Sequence, residues 1–566
     1  MLHPLITAAC VFGLLTTWAD AQQPTAPRMK SPGDACLPLT LELVPTFECV
    51  GVYATYAGDE NGDSTASVEY REYPAGVWRQ AHSPWNDVNG GEQRTSLVGL
   101  TAQTEYEVRV SFSDPDGVWG RGMLLERTQT WVEDPPIGSV FTYPPGTHGA
   151  DSMTLQSGTS EAWQVYQADS LGAVIINDSQ VDSWGFSVSS KEYIIFRNLV
   201  FTGGRDAVVV YNSHHIRFEN CEVREFGDAL HPTRTARGLV MRGSDCKQVV
   251  VQDCHFHSPL GSANDWDSWN ELDPPTHHPD GPHGIWFWES GGNHVVRRNL
   301  LAGDDDHWWS DAICGQPNGA EHGGPYRDVD IYDNTIHHVN DDAIELDGGQ
   351  INVRCFGNDI SRSYVAISTI PCIAGPSYVF RNVVWNIGDS RVPARAWTVL
   401  KLGGAEGNPG LGKGSQYIYH NTIYAPYDPG GGPFADVYAF SAIGGTTFGD
   451  GAGANKFINV TCRNNIVLAA EALVRDRYYY TPPGTNTYDY DLTCQSHPLA
   501  LGDPHTMLAE EHGVYAPLWT PLFVDPGQGD FSLLPGSPAL DGGVVIPGFN
   551  DEYLGMAPDI GALECY

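Results

Sequence analysis

Seven residues of this chain carry four acids: Asp341-Asp342-Ala-Ile-Glu345-Leu-Asp347. Two carboxylates held side by side away from water cannot both ionise cheaply. One keeps its proton near neutral pH and can act as a general acid, while its neighbour serves as base or nucleophile. The phrase at Asp342, a leading residue followed by a small and then an apolar one, recurs along the chain. Its copies are Asp206-Ala-Val208, Arg237-Gly-Leu239, His283-Gly-Ile285, Asp311-Ala-Ile313, Asp342-Ala-Ile344, Val365-Ala-Ile367 and Trp397-Thr-Val399. Stacked on one another, their first residues form a column at ~4.8 Å steps, the spacing of hydrogen-bonded strands. Asp342 and Asp311, assisted by Asp341, Glu345 and His283, are the candidate catalytic residues.

Other reactive side chains gather nearby in sequence. The stretch Ser258 to Gly292 brings His277, His278, Asp280 and His283 together with Trp266, Trp269, Trp286 and Trp288, and Asp304-Asp-Asp-His307-Trp-Trp309 follows it. Aromatic faces beside acids are a common way to hold sugar rings through their apolar C–H faces. Trp286, Trp288, Trp308, Trp309, His337, His338, Arg237 and Lys401 are therefore the candidate substrate-binding residues. Asp280, Asp304, Asp305 and His307 are candidate metal ligands, with imidazole in the set suiting zinc and carboxylates alone suiting calcium. Elimination chemistry needs a base and a neutralised substrate carboxylate, for which Lys401, Arg237 and Arg395 are available.

These residues need a repetitive scaffold, and the chain has one. An Asn-centred phrase recurs at Phe196-Arg-Asn198-Leu-Val200, Phe218-Glu-Asn220-Cys-Glu-Val223, Val251-Gln-Asp253-Cys-His-Phe256, Val296-Arg-Arg-Asn299-Leu-Leu301 and Ile331-Tyr-Asp-Asn334-Thr-Ile336. It continues at Cys355-Phe-Gly-Asn358-Asp-Ile360, Phe380-Arg-Asn382-Val-Val384, Tyr419-His-Asn421-Thr-Ile423 and Cys462-Arg-Asn464-Asn-Ile466. Closest spacings of 22 and 24 residues fit one coil of a stacked structure with three short strands per turn, whose backbone is satisfied only by its neighbours. The repeated Asn predicts a ladder of side-chain amides at a tight turn.

These phrases resemble the right-handed parallel β-helix superfamily of pectate lyases, polygalacturonases and chondroitinase-B-like lyases, over about residues 137–566. The closing Phe531-Ser-Leu-Leu-Pro-Gly-Ser537 and Pro558-Asp559-Ile-Gly-Ala-Leu-Glu564 resemble the terminal segments of such proteins. Asn340-Asp341-Asp342-Ala-Ile344 is similar to the acid pair of polygalacturonase-like hydrolases, without their Asn-Thr-Asp one coil earlier or a later Arg-Ile-Lys. Ahead of this region, residues 37–133 alternate as strands. There, Leu100-Thr-Ala-Gln-Thr-Glu-Tyr106-Glu-Val-Arg-Val110 resembles the tyrosine corner of a fibronectin type III sandwich. The expected fold is all-β: a small β-sandwich followed by a right-handed parallel β-helix.

The first 21 residues have an apolar centre and an Ala19-Asp20-Ala21 ending, which reads as a signal peptide, and residues 22–36 read as a linker. No later run of ~18 apolar residues exists to span a membrane. Export allows disulfides, with Cys36–Cys49 and Cys462–Cys494 the pairs suggested by position. Asp59-Glu-Asn61-Gly-Asp63 alternates oxygen ligands but lacks the terminal Glu of an EF-hand, and reads as a solvated loop. A formal net charge of −38 argues against nucleic acid and anionic membranes as partners.

The reading that follows is a secreted, extracellular or periplasmic monomer acting on a polysaccharide. The leading expectation is a glycoside hydrolase using paired carboxylates without a cofactor. A calcium-assisted lyase acting on a uronate-containing glycan is the alternative enzyme, and a non-catalytic glycan-binding or adhesion protein is the alternative outside enzymes.

Overall fold

The computed structural model describes residues 33–180, 182–388, 391, 396, 398–403, 414–426, 441–444, 458–470, 472–475, 486–494 and 510–565. The expected signal peptide, most of the expected linker, Arg395 and Trp397 lie outside these residues. None of the described helices is long and apolar enough to cross a membrane.

Each coil of the main body uses three short strands, as the two repeating phrases require. Glu192–Arg197, Val200–Gly203 and Asp206–Tyr211 make one coil, and His214–Glu219, Glu222–Arg224 and Ala236–Arg242 make the next. The strands that end in the Asn phrase stack into a 12-stranded sheet beginning at Ile137–Thr142, and the other two sets form a continuous 21-stranded ribbon. All pairings within these two sheets are parallel, as in the pairs of Asp206–Tyr211 with Ala236–Arg242 and of His214–Glu219 with Lys247–Gln252. The fold is a right-handed parallel β-helix.

Alternation along the strands sets what faces in. Val208, Leu239, Ile285, Ile313, Ile344, Ile367, Leu400 and Ile443 pair in direct register from coil to coil and are all buried. A fully buried side chain of this kind contributes about 1.5–3 kcal/mol, so this inward column is a main support of the helix. The small residue of each phrase stands where the stack is tightest. A Cβ on Gly284 would lie 2.5 Å from Leu301 and 2.6 Å from the Ala312 carbonyl oxygen.

The amide ladder is present, in a register the sequence only partly shows. Asn299, Asn334, Asn358, Asn382, Asn421 and Asn465 donate in turn from Nδ2 to the next Oδ1, each at 2.9–3.0 Å, and Asp491 takes the last place. Asn198 and Asn220 stand one position earlier, in left-handed turns with φ of 58° and 51°, and Asn464 does the same at φ 59°. Their ladder positions are filled by Leu199, Cys221 and Asn465. Asn358 also donates to the Ile331 carbonyl (3.0 Å) and accepts from the Asn334 backbone amide (3.1 Å). Asn358→Ala should therefore cost about 3–5 kcal/mol, since several buried partners lose their bonds at once. Asn220→Gly, at an exposed left-handed turn, should cost less than ~1 kcal/mol. Urea unfolding of the two variants checks the contrast.

At the N-terminal end, two four-stranded antiparallel sheets enclose a separate core. One holds Cys36–Pro45, Val50–Gly58, Glu92–Leu97 and Trp85–Asp87, and the other Arg79–Gln80, Thr65–Glu72, Glu105–Ser113 and Met123–Gln129. The Thr101 backbone amide donates to the Tyr106 hydroxyl at 3.0 Å, the bond expected of the tyrosine-corner phrase. The sandwich lies against the outer face of the 12-stranded sheet. Thr46 donates to Asp330 at 2.5 Å, Tyr53 to Asp328 at 2.8 Å, and Arg354 pairs with Asp330 beneath them.

The expected disulfides are absent. All eleven cysteines among the described residues are free thiols. Cys36 belongs to the core of the sandwich, whereas Cys49 packs at its junction with the helix against Tyr378 and Phe380. Cys462 pairs in register with Tyr488, on a different sheet from the strand that precedes Cys494.

Candidate functional site

The predicted column exists on the outer face of the ribbon. Asp206 pairs with Arg237 and Arg237 with His283. Asp311 and Asp342 follow, each two residues before the paired Ile313 and Ile344, and Asp342 is opposite Val365. The next place belongs to Thr398 rather than Trp397, because Val365 pairs with Thr398.

In a regular strand Asp341 and Asp342 would point to opposite faces. The strand Thr335–Glu345 breaks register between Val339 and Asp342, and such irregularities re-aim side chains. Carboxylate oxygens of Asp311, Asp341 and Asp342 consequently lie within 4.8 Å of one another. A second group, Asp342, Glu345 and Asp347, meets the same limit, so Asp342 belongs to both. Glu345 lies in the next outward row, followed by Ser368 and Lys401. Lys401 reaches back across this row and donates to Asp342 Oδ2 at 2.5 Å.

Each acid has a distinct set of neighbours. Asp311 is 3.3 Å from His283 Nδ1 and accepts the Asp342 backbone amide at 3.0 Å. Burial alone would raise its pKa, but these contacts hold it below the usual range. Burial raises Asp341, with the nearby His278 opposing. It pushes Asp342 well above the ordinary range against the pull of Lys401, with the charges of Asp341, Asp347 and Asp311 adding to the rise. Glu345, which accepts from Asn318 at 2.7 Å, is raised by burial and by Asp347 and Asp311. Asp347 is bonded by Ser368 Oγ (2.6 Å) and the Ile370 amide (2.8 Å), and burial raises it to about 6. For Lys401, burial works against the charged form, but Asp342, Asp347, Asp341 and Glu345 more than compensate and keep it protonated.

The insertion supplies partners that periodicity could not reveal. His278 Nε2 lies 3.1 Å from Asp341. Desolvation would lower this imidazole, yet Asp341 produces a net upward shift. Trp266 stacks on Tyr364 at 4.9 Å and donates its indole N–H to the Asn340 carbonyl at 2.8 Å, fixing the insertion beside the acids.

Several predicted binding residues are elsewhere. Trp308 and Trp309 are completely buried and cannot meet a sugar. Trp309 stacks with Phe226 in the helix core, and Trp308 packs under His338. Trp286 and Trp288 are on the groove face, but Arg237 lies over Trp286 and Arg242 over Trp288, each at 4.4 Å. His337 and His338 precede the register break and stand around the corner from the acids, bonded to each other at 2.7 Å, with Arg362 at 2.7 Å from His338. The expected metal ligands do not converge. Asp280 accepts from Thr235 at 2.8 Å, Asp304 closes a turn onto His307, and Asp305 is near His338 and Arg362. In the sandwich, Asp59 is buried and caps its own loop, accepting from the Asp63 and Ser64 amides at 2.9 and 3.1 Å and from Ser64 Oγ at 2.6 Å, with Asp63 and Asp114 beside it.

The acids that do converge offer only oxygen donors, and Asp342 Oδ1 is buried without a hydrogen-bond partner. Such a set suits a hard divalent cation of the calcium type.

The right-handed beta helix region family matches residues 184–370. Among solved structures, the chain is similar to a mannuronic-acid-specific polysaccharide family 6 lyase from human gut microbiota. The two share 12% identity over 64% of this chain and 76% of that one, with a TM-score of 0.41. It is also similar to pectate lyase Pel9A (15% identity, 76% and 89% covered, TM-score 0.35) and to the catalytic domain of a GH87 α-1,3-glucanase (10%, 79% and 92%, TM-score 0.35). No curated protein matches the chain in sequence. These likenesses concern the fold, and within this chain the family match is to the β-helix coils that carry the acid cluster.

Proposed function

We propose that the protein cleaves a uronate-containing polysaccharide by β-elimination in the groove beside Asp311, Asp341 and Asp342. The observation that carries this reading is Lys401, an amine set among these carboxylates with its Nζ 2.5 Å from Asp342. Asp342 is almost wholly buried and engaged by this lysine, which makes it a poor proton donor to a glycosidic oxygen and turns the reading from hydrolysis towards elimination. Lys401 takes the proton from the carbon next to the substrate carboxylate. The electrons left behind form a carbon–carbon double bond as the bond to the leaving oxygen breaks, and we assign protonation of that oxygen to His278. Asp311, Asp341 and Asp342 would hold a calcium ion that, when bound, neutralises the substrate carboxylate and relieves the field that keeps Lys401 charged. We read the N-terminal sandwich as fibronectin type III-like and give it no chemical step.

A second reading, hydrolysis, is favoured by the opposite shifts of Asp311 and Glu345, which would suit a base and an acid. The products separate the two. Elimination gives an unsaturated uronate end with new ultraviolet absorbance, and hydrolysis gives reducing ends without it. Reducing ends alone across a panel of uronate-containing glycans would overturn elimination, and no product at all would leave a binding protein.

The exposed indole of this region is Trp269, 61% exposed and backed by His277 at 4.0 Å. Stacking of this kind is worth about 0.5–1.5 kcal/mol. Trp269→Ala should raise KM by up to about tenfold while leaving kcat unchanged, as measured by steady-state kinetics on the cleaved glycan.

A further inference from the structure

Asp311 faces two ways. Its Oδ1 accepts the Asp342 backbone amide, while its Oδ2 lies 3.3 Å from Nδ1 of His283. Cys314 joins this second contact. His283 stands one coil before Asp311 in the column, and Cys314 follows Ile313 in the next outward row, opposite Trp286. Its Sγ is 3.5 Å from the same Nδ1, and ligand atoms of all three residues lie within 4.8 Å of one another. Trp286 meets the imidazole edge to face at 4.5 Å and holds its plane.

The Asp311 backbone N–H also points at Nδ1, from 3.4 Å. A ring nitrogen carries either one proton or one lone pair, so it cannot serve carboxylate, thiol and amide together. The carboxylate and amide contacts are correspondingly long against the ~2.9 Å of an ordinary hydrogen bond. A cation between the three side chains satisfies nitrogen, oxygen and sulfur at once. Zinc bonds of about 2.0–2.1 Å to N and O and about 2.3 Å to S, at tetrahedral angles, set the N–O edge near ~3.4 Å and the N–S edge near ~3.5 Å. The observed edges are 3.3 and 3.5 Å. His283 and Cys314 form a buried floor, and Asp311, with 13% of its side chain exposed, is the entrance. Among the described residues, the other groups able to hold a metal contain only carboxylates.

We infer that His283, Asp311 and Cys314 form a site for a borderline-soft divalent cation of the zinc type, which takes up the shared Asp311 and so opposes the calcium group. On binding, the Cys314 thiol gives its proton to solvent and the thiolate takes the metal, with the fourth position left to water. Sulfur and imidazole select against calcium, which prefers oxygen donors. The opposition rests on the reading that Asp311 serves the cleaving groove, and the metal site itself does not.

Cobalt(II), which accepts the same ligands and is coloured, tests the site on the full chain without substrate. It should give tetrahedral visible bands and a thiolate-to-cobalt band in the near ultraviolet, which zinc abolishes and a large excess of calcium does not. Cys314→Ser and Cys314→Ala should each lose the thiolate band and bind zinc at least about a hundredfold more weakly. X-ray absorption of the zinc-loaded parent should show a sulfur neighbour at about 2.3 Å, which decides the matter even if the cysteine variants fail to fold. Zinc without a sulfur neighbour, or a thiolate band that survives the loss of Cys314, would overturn the site. Zinc should stop glycan cleavage by the parent and spare Cys314→Ser, and equal inhibition of both would overturn the link to the groove. Sulfur-bound metal in a chain that cleaves no glycan would overturn the proposed reaction and leave the site standing.

Discussion

Lys401→Met should lower kcat by about 10²- to 10⁴-fold, the range supplied by a positioned general base, with substrate binding retained. The substitution also leaves Asp342 buried without its cation, and breaking such a pair costs about 3–5 kcal/mol. Loss of activity alone would not separate catalysis from collapse, so Lys401→Arg is the deciding variant. It restores the positive charge beside Asp342 and should return thermal stability close to that of the parent. A guanidinium cannot give up its proton in this pH range, so turnover should stay as low as in Lys401→Met. An active Lys401→Arg enzyme would remove Lys401 from the role of base and leave it as a structural counter-ion.

Calcium should stabilise the protein at pH 8 and not at pH 4.5. Asp341, Asp342, Glu345 and Asp347 all have pKa values raised in the folded state. Groups of this kind contribute stability that is complete below the ordinary carboxylate range near ~4 and is lost as pH rises through the raised values, about 6 for Asp347. As the carboxylates ionise with rising pH the cluster becomes self-repelling, and a divalent cation has more to offer. At a hundredfold excess over its Kd the ion should add about 2.7 kcal/mol, fading as the carboxylates take up protons. Asp341→Asn should diminish the response. Asp114→Asn, in the separate acid group of the sandwich, should leave it in place. A melting temperature indifferent to calcium at pH 8 would end the cation proposal.

How much of this could be read from the residues depended on whether the coil repeat governed them. The column from Asp206 to Asp342 was legible because a leading residue at the strand entry stays outside while the small and apolar residues after it both enter the core, regular alternation starting only beyond them. Its end was misjudged by one residue at Thr398, where the phrase loses its small residue. The Asn ladder was visible, yet Asn serves two adjacent places: Asn198, Asn220 and Asn464 adopt left-handed turns, whereas Asn299, Asn334, Asn358, Asn382, Asn421 and Asn465 form the ladder. Trp308 and Trp309 look like binding residues beside three aspartates, but the chain folds them inward. Lys401 is available in the sequence as a base, but its bond to Asp342 spans 59 residues and two rows, a relation that neither phrase encodes. His278 belongs to an insertion without periodicity, so only its contact with Asp341 brings it into the site.

The sandwich rests on Asp328 and Asp330, and the strand Asp330–Tyr332 is the reverse side of the coil whose front bears Asp341 and Asp342. Arg354, wholly buried at this junction, would be uncovered if the sandwich were removed. The N-terminal module is therefore a buttress to the coil that bears the acids. A force or a cut that loosens the module acts on the floor of the groove, so the two parts should be treated as one body when the chain is shortened or fused.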